Sequence, residues 1–298
     1  MTASAAIAML LAGATTRLAE SLSLDKREAR IEARVLVSHA LKVDHAWLIA
    51  HDRDVPTAAQ QHAIAALIDR RAGGEPVAYI VGEREFYGLN FSITPAVLIP
   101  RPDTELLVEA ALQRLPENTP CQVLDLGTGS GAIAIALALH RPKTEVIALD
   151  ISPDALVVAQ NNARRLGASN VRFEIGDWYA ATTVQTSVKN FDIIVSNPPY
   201  IEAADPHLKT GDLRHEPIQA LAAGDDGLRD LRAVITGAPA HLVKSGWLLL
   251  EHGYDQADAV IAMLRERGFA QTETLRDLAG QHRVSGGCWP GNKVERAD

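Results

Sequence analysis

The chain has 298 residues, 47% of them hydrophobic, and a formal net charge of −8 at pH 7. This length accommodates one large domain and one smaller domain. The acidic balance argues against a broad grip on the phosphate backbone of a nucleic acid, because such binding depends on clustered Lys and Arg. We therefore expect a protein or a small molecule as the substrate and no direct binding of nucleic acid.

Cysteine content and hydropathy give a second set of exclusions. Cys121 and Cys288 are too few for a disulfide framework and lack the spacing of a zinc site. Residues 5–13 are apolar enough for a signal peptide, but they lack a basic n-region and continue at helical spacing. No other stretch approaches the roughly 18 apolar residues of a membrane span. We predict a cytoplasmic monomer that binds no metal and no membrane.

The first part of the chain has a helical pattern as far as about residue 72, with breaks near Ser23, Val43 and Pro56. This pattern predicts a small helical bundle. The Gly73-Gly74 pair ends the last of these helices and marks a change in composition. We assign residues 1–75 to the N-terminal helical bundle.

The next segment is predicted to be a linker. Between residues 77 and 99, aromatic and β-branched residues alternate with polar ones, and Gly88 lies in the interruption, which predicts a β-hairpin over residues 76–99. Residues 100–105 then form a stiff turn into a helix, with Asp103 or Thr104 available to cap it.

After Pro120, short apolar strands alternate with helical stretches. Runs that are buried on both faces and separated by helices indicate an α/β fold with a doubly wound, mostly parallel sheet. We assign residues 100–290 to this domain and residues 291–298 to a polar tail of no assigned role. The predicted strands cover residues 122–126, 146–149, 171–175, 191–195 and 247–250, with an antiparallel edge at 271–276 and 283–288.

The first predicted strand runs into the loop Gly127-Thr128-Gly129-Ser130-Gly131, and a helix follows. Glycines let the backbone turn sharply and let a ligand approach, and a helix N-terminus carries partial positive charge. In a dinucleotide fingerprint the third glycine comes one residue later, and here Asp125 precedes the loop. This compact form fits S-adenosylmethionine, whose amino-acid end needs an acceptor as well as donors.

Acidic residues follow the next two strands. Asp150 closes the second strand, where a carboxylate can accept hydrogen bonds from both ribose hydroxyls. Asp177-Trp178 follows the third strand, where the carboxylate can accept from an adenine amino group and the aromatic ring can cover the adenine. Each feature alone has a structural explanation, since glycine turns are common and a strand-end Asp is often a cap. Together, at the carboxyl edge where open α/β sheets bind ligands, they favour a nucleoside cofactor.

The tetrapeptide Asn197-Pro198-Pro199-Tyr200 follows the fourth strand, which lies beside the first in a doubly wound sheet. If the Asn197 side-chain oxygen and the Pro198 carbonyl accept the two N–H groups of a planar amino group, its nitrogen becomes pyramidal and aims its lone pair at a methyl group. Tyr200 can pack on the flat face of the substrate group. The alternative is a proline-rich strand exit with Asn as a turn residue.

Together with residues 99–105 and 249–253, these motifs resemble the release-factor glutamine methyltransferases, the PrmC/HemK family, over essentially the whole chain. The tetrapeptide is shared with enzymes that methylate DNA adenine, whereas the turn at residues 100–102 and the N-terminal bundle make the resemblance specific. It implies a class I S-adenosylmethionine-dependent methyltransferase. Its substrate would be the glutamine side-chain amide (N5) in the Gly-Gly-Gln loop of class I peptide-chain release factors.

The resemblance also implies residue roles. The loop Gly127 to Gly131, Asp150, Trp178 and Asn197 would contact the cofactor, residues 197–200 would hold the glutamine, and the bundle would help dock the release factor. Two alternatives remain open, a DNA adenine-N6 methyltransferase and a noncatalytic module that binds release factors or ribosomes. The acidic charge and the lack of a basic recognition region argue against the first, and an intact amide clamp argues against the second.

Other ionisable residues receive structural interpretations. We interpret His252, at a strand end, as a hydrogen-bonding residue without a catalytic role. His215-Glu216 lacks the second His of a zinc protease helix. Asp225, Asp226 and Asp230 are expected to form a solvated face and a helix start.

Overall fold

A computed structural model describes residues 5–181 and 190–291. Of the predicted polar tail, all but Gly291 lies outside the described residues. The chain divides into two compact units. The first ends at Glu83 and also contains Lys209–His215, and the second contains the rest.

The first unit is helical, as predicted. Its helices are α1 (Ile7–Leu22), α2 (Lys26–Leu41), α3 (His45–Ala50), α4 (Ala58–Ala72) and α5 (Val77–Val81). The Asp25 and Asp44 side chains cap α2 and α3 by accepting backbone N–H groups, and Thr57 forms a capping box at α4. Ser23 and Lys42 end α1 and α2 in the left-handed conformation, and Pro56 lies between the end of α3 and the start of α4, so the predicted breaks near Ser23, Val43 and Pro56 are confirmed.

Apolar side chains at helical spacing form the core of this unit, among them the buried Leu18, Leu36 and Ile68. One charged side chain is also buried there. The Arg71 guanidinium donates to Glu32 over 2.8 Å and to Asp212 over 2.7 Å. These partners compensate for the loss of water around the charge.

The hairpin is shorter than predicted and consists of β1 (Glu83–Phe86) and β2 (Leu89–Ser92). Its two-residue turn has positive φ at Tyr87 (52°) and Gly88 (73°), the geometry that matches the twist of paired strands. The prediction was wrong for Val77–Val81, which is the helix α5. The reason is the Pro76 carbonyl, which accepts from two N–H groups of the following turn, and Gly82, whose φ of 75° ends the helix.

The second unit contains one mixed sheet in the order β6-β5-β4-β3-β7-β8-β10-β9. The five strands from β5 to β8 in this order are parallel, while β6, β10 and β9 pair antiparallel at the two edges. Every predicted strand is present, and so is the antiparallel edge. The strands are β3 (Cys121–Leu126), β4 (Thr144–Asp150), β5 (Val171–Asp177), β6 (Ala180–Ala181), β7 (Phe191–Ser196), β8 (Leu242–Glu251), β9 (Ala270–Arg276) and β10 (His282–Cys288).

Helices cover the sheet and supply its core. They are α6 (Glu105–Leu112), α7 (Ala132–His140), α8 (Pro153–Leu166), α9 (Arg229–Gly237) and α10 (Ala257–Arg267). Leu124, Leu126 and Leu248 share a cluster with Leu231 of α9 and Leu264 of α10. The alternate strand positions on one face thus pack on α9 and α10, while α6, α7 and α8 pack on one another and on the strands. This is the predicted doubly wound fold.

The register of the parallel strands aligns their carboxyl ends. Leu126 of β3 lies opposite both Leu149 of β4 and Ser196 of β7, and Ser196 lies opposite Leu250 of β8. The residues that follow are Gly127, Asp150, Asn197 and Glu251, so this pairing brings them to one edge of the sheet.

Candidate active site

The glycine loop connects β3 to α7 through backbone hydrogen bonds to the neighbouring strand. Gly127 and Thr128 both donate N–H to the Leu149 carbonyl over 2.9 Å. The φ angles of Gly127, Gly129 and Gly131 are 74°, 55° and 83°, in the left-handed region that favours glycine. A Cβ on Gly131 would lie 2.9 Å from the Ile135 side chain, so this glycine also permits close packing.

Polar groups of the loop form buried hydrogen bonds. The Thr128 hydroxyl donates to Asp125 Oδ2 over 2.7 Å, and the Ser130 carbonyl accepts from Asn162 Nδ2 over 2.9 Å. Asp125 is fully buried, and burial raises the pKa of its carboxyl to about 7, although the Thr128 hydrogen bond opposes the shift. These buried hydrogen bonds help to fix the conformation of the loop.

Asp150 fastens the loop to the end of β4. Its Oδ2 accepts from the Gly129 N–H over 2.8 Å, and its Oδ1 accepts from the Ser152 N–H over 2.9 Å. Burial raises the pKa of this carboxyl, and the backbone hydrogen bonds oppose that shift. Each oxygen keeps a further lone pair, and the side chain lines a cavity.

That cavity has a volume of about 530 Å³ and collects most of the predicted site residues. Gly127, Gly129, Asp150, Asp177, Trp178, Asn197 and Pro199 line it. Trp178 has a φ of 50°, and its ring lies beside Gly127. Of the other predicted residues, Thr128, Ser130, Gly131 and Pro198 are buried and Tyr200 is half-buried, and the cavity lining does not include them.

The tetrapeptide at residues 197–200 leaves β7 with its two ends tied to different side chains. Asn197 Nδ2 donates to Thr104 Oγ1 over 3.2 Å, and the Tyr200 hydroxyl donates to Glu251 Oε1 over a longer 3.4 Å. Burial raises the pKa of Tyr200, so its hydroxyl remains a donor at neutral pH. Thr104 was predicted as a possible helix cap, but its side chain makes no capping bond to α6.

Segments that no motif indicated complete the cavity wall. They are residues 96–98, residues 217, 219 and 220, and the helix positions 229, 230 and 233. The residues adjacent to two of these segments are joined, since Glu216 forms an ion pair with Arg101 and accepts the Ile99 N–H over 3.0 Å. Local composition offers no signal for these residues.

The prediction for Asp230 was wrong about its exposure. It was expected on a solvated face, but it is only 6% exposed, lines the cavity, and forms a 2.8 Å ion pair with Arg229. Asp230 does lie in the first turn of α9, so the predicted helix start is confirmed, but the side chain faces the cavity, which the spacing of charges alone does not reveal. Asp225 and Asp226 are exposed as expected, and Asp226 accepts the Leu228 N–H just before α9 begins.

His252 has the hydrogen-bonding arrangement of a structural residue. It is fully buried, Nδ1 lies 2.8 Å from the Gly253 carbonyl, and Nε2 lies 2.8 Å from the Ser285 hydroxyl. Because a carbonyl only accepts, Nδ1 carries the proton and Nε2 accepts from Ser285. Burial lowers the pKa of this ring, consistent with a neutral imidazole.

Comparison with known proteins identifies the family of this chain. A family model described as a methyltransferase domain matches residues 117–283, and one described as a PrmC N-terminal domain matches residues 9–82. The chain is 51% identical over 270 residues to a release factor glutamine methyltransferase from Bordetella pertussis, covering 91% of this chain and 98% of that one. The chain belongs to the release factor glutamine methyltransferase family.

Other relatives agree with this membership. A release factor glutamine methyltransferase from Xylella fastidiosa is 48% identical over 95% of this chain and 98% of its own. In fold, a methyltransferase from Pyrococcus furiosus superposes with a TM-score of 0.51 at 18% identity, covering 75% of this chain and 98% of that one. The family prediction is therefore confirmed, and the relatives do not support the DNA adenine or noncatalytic alternatives.

Membership of this family leaves some predictions open. Within residues 5–181 and 190–291, no helix is long and apolar enough to cross a membrane. The cytoplasmic location, the monomeric state and the absence of nucleic-acid and metal binding stay predictions. The same holds for the predicted division into a docking bundle, a linker and a catalytic domain.

Proposed function

We propose that this member of the family transfers a methyl group from S-adenosylmethionine to the side-chain amide nitrogen of glutamine in the Gly-Gly-Gln motif of class I peptide-chain release factors. One observation carries the proposal: Asn197 lines the same cavity as Gly127, Gly129 and Asp150. A cofactor on the glycine loop and an amide on Asn197 would then share one cavity.

The lining of the cavity fits this cofactor. Asp150, Asp177 and Asp230 line it, and Arg229 is already paired with Asp230. An acidic wall suits a ligand that carries a sulfonium cation. Asp150 can accept ribose hydroxyls with its remaining lone pairs, Asp177 can accept from the adenine amino group, and the Trp178 ring can cover the adenine. The glycine loop presents its backbone to the amino-acid end.

The tetrapeptide performs the substrate part of the reaction. When bound, S-adenosylmethionine supplies an electrophilic methyl carbon whose leaving group is a neutral thioether. Asn197 Oδ1 accepts one N–H of the glutamine amide and the Pro198 carbonyl accepts the other, so the nitrogen lone pair points at that carbon. Pro199 and Tyr200 hold the flat amide in place. A strong base is not needed, because the proton leaves the nitrogen after the N–C bond has formed.

Incubation with labelled cofactor tests the proposal. A class I release factor and a DNA duplex are offered in separate reactions, and the release-factor peptides are then examined by mass spectrometry. We expect one methyl group on the glutamine of the Gly-Gly-Gln peptide and none on DNA. Label in DNA, or on another residue of the release factor, would contradict the proposed function.

A further inference from the structure

The Gln256 side chain joins three segments beyond the carboxyl ends of β7 and β8. Its Nε2 donates to the Tyr200 carbonyl over 3.0 Å and to the Gly227 carbonyl over 3.3 Å, and its Oε1 accepts the Gly253 N–H over 2.9 Å. The three segments are the last residue of the tetrapeptide at residues 197–200, the loop before α9, and the turn before α10. One amide thus connects the tetrapeptide to two other parts of the site edge.

The partners of this amide fix its orientation. Both contacts of the nitrogen are carbonyls, which only accept, and the contact of the oxygen is a backbone N–H, which only donates. Such a pattern distinguishes the two ends of an amide. A flipped Gln256 would place its oxygen against two carbonyl oxygens and would lose all three hydrogen bonds. The side chain is therefore held in one arrangement.

The tetrapeptide has few backbone groups with which to fix its own path. Its two central residues are prolines, which have no N–H. Backbone pairing is present again at Ile201, whose N–H donates to the Leu221 carbonyl over 2.9 Å. Between these points, the bond from Gln256 to the Tyr200 carbonyl sets the plane of the peptide that follows Tyr200. Rotation of that peptide would change the backbone torsions of Tyr200 and move its ring.

Gly227 allows the three segments to lie this close. A Cβ at this position would lie 2.5 Å from the Tyr200 carbonyl oxygen and 2.8 Å from Gln256 Nε2. The φ of Gly227 is 66°, in the left-handed region that favours glycine. The loop before α9 therefore packs directly on the hydrogen bond between Gln256 and Tyr200, which leaves that carbonyl little room to turn elsewhere.

We propose that Gln256 is a positioning residue for methyl transfer: it holds the Tyr200 carbonyl and thereby fixes the Tyr200 ring against the substrate amide. This inference rests on the proposed function, because it takes Tyr200 as a residue that holds the glutamine side chain. Gln256 is not among the residues that line the cavity. It acts through Tyr200 and does not touch the substrate.

Gln256→Glu tests this role in the full-length enzyme with a release factor as substrate. A glutamate has the same length and can still accept the Gly253 N–H, but its carboxylate cannot donate to Tyr200 or Gly227. We expect kcat to fall by about 30-fold, somewhat less than for a catalytic group misplaced by 1 Å. KM for the release factor and the cofactor dissociation constant should each stay within about twofold of the wild-type values, because binding is retained.

Gln256→Met removes the same donors without adding a charge. Methionine has a similar length and an unbranched, adaptable side chain. This variant decides the matter if the glutamate at residue 256 prevents folding. We expect kcat to fall by about 30-fold here as well. Circular dichroism gives Tm and checks the fold of both variants.

Gln122→Met is the matched control. Gln122 is also half-buried, lies in the same unit, and its Nε2 donates to Glu145 Oε2 over 3.3 Å. It is the second residue of β3, at the opposite end of that strand from the glycine loop. The same substitution there should leave kcat unchanged, which separates the loss of a glutamine amide in general from the loss of this one.

A double variant tests whether Gln256 acts through the Tyr200 ring. In Tyr200→Ala the ring is absent, so its position no longer matters. Gln256→Met added to Tyr200→Ala should then change kcat by no more than about threefold, although it costs about 30-fold in the wild-type background.

Three results would overturn the inference. They are a folded Q256E or Q256M enzyme with the wild-type kcat, a double variant in which the two losses of kcat multiply, and a loss of kcat in Q256M matched by an equal loss of cofactor affinity and a lower Tm. The last pattern would mean that Gln256 only stabilises the turn before α10. Failure of the proposed function is seen separately, as a wild-type enzyme that does not methylate the release-factor glutamine.

Discussion

The two ends of the cavity are held by different kinds of hydrogen bond. At the end proposed for the cofactor, Gly127, Thr128 and Gly129 donate backbone N–H groups to Leu149 and Asp150, which lie on the adjacent strand. At the end proposed for the glutamine, side chains bond to side chains, and the partners lie 93 and 51 residues apart in sequence. The first end is fixed by neighbouring strands of the sheet, whereas the second depends on contacts between segments that are distant in the sequence.

Asn197→Ala is expected to have the largest effect, because it removes the acceptor in contact with the reacting amide. We expect kcat to fall by about 1,000-fold, at the upper end of what one preorganised polar group contributes. The fold should survive, since the Asn197 side chain is only half-buried and, among the residues that the structure describes, hydrogen bonds to Thr104 alone. Single-turnover transfer to a release factor measures the rate, and circular dichroism checks the fold.

Asn118→Ala is the control for this change, because Asn118 is an exposed asparagine outside the cavity. Its turnover should match that of the wild type. A wild-type turnover rate in Asn197→Ala would refute the proposed role of Asn197 in holding the glutamine amide. It would leave the proposed cofactor site at the glycine loop and Asp150 unaffected.

Gly131→Ala tests how rigid the cofactor end is. The new Cβ would lie 2.9 Å from Ile135 and 3.2 Å from Ala159, at a φ of 83°. Strain and overpacking together should lower the free energy of unfolding by about 3 kcal/mol, measured by urea titration. Gly13→Ala is the contrasting control, because it adds a methyl group in open space within α1 and should stabilise that helix by about 0.8 kcal/mol. A Gly131→Ala enzyme of wild-type stability would contradict the close packing.

Asp150→Ala should separate cofactor affinity from turnover. Losing a charged acceptor for the ribose is expected to weaken cofactor binding by about 30-fold, equivalent to about 2 kcal/mol. Isothermal titration calorimetry with S-adenosylmethionine gives the dissociation constant, and kcat at saturating cofactor should fall far less than in Asn197→Ala. An unaltered dissociation constant would remove Asp150 from the ribose role.

The same contrast explains what could be predicted from the sequence. The strands and the glycine loop depend on contiguous residues, so their pattern is visible in a short window, as at residues 122–131. Val77 and Val81 suggested a strand because β-branched residues favour one, but Pro76 and Gly82 set the helix ends.

The parts that were missed depend on distant segments. Thr104, Asp230 and Glu251 acquire their surroundings only when the turn before α6, the start of α9 and the end of β8 meet near β7. In the sequence, Thr104 has the local signature of a helix cap and Asp230 that of a surface charge. Tertiary packing overrides both signatures, and no window of neighbouring residues contains that information.

The pH dependence of kcat tests the role of Glu251 at the end of the cavity proposed for the glutamine. Burial raises the pKa of its carboxyl to about 7, and Asp103 adds to the shift, while Thr104, Arg283 and Tyr200 oppose it. Above pH 7 the charged carboxylate accepts from the Tyr200 hydroxyl. Below pH 7 the carboxyl becomes protonated, loses acceptor capacity, and its hydrogen bond with the Tyr200 hydroxyl weakens.

We therefore expect kcat to fall about fivefold between pH 8 and pH 6, and this limb of the profile to be absent in Glu251→Gln. Asp125, whose pKa is also raised to about 7, titrates in both enzymes and so cancels in the comparison. Glu251 itself does not destabilise the fold at low pH. A carboxyl whose pKa is raised in the folded state stabilises that state at low pH, and this contribution is lost as the pH rises through 7. A profile for Glu251→Gln that parallels the wild-type profile would show that another group controls the rate, and the tetrapeptide would then not depend on this carboxylate.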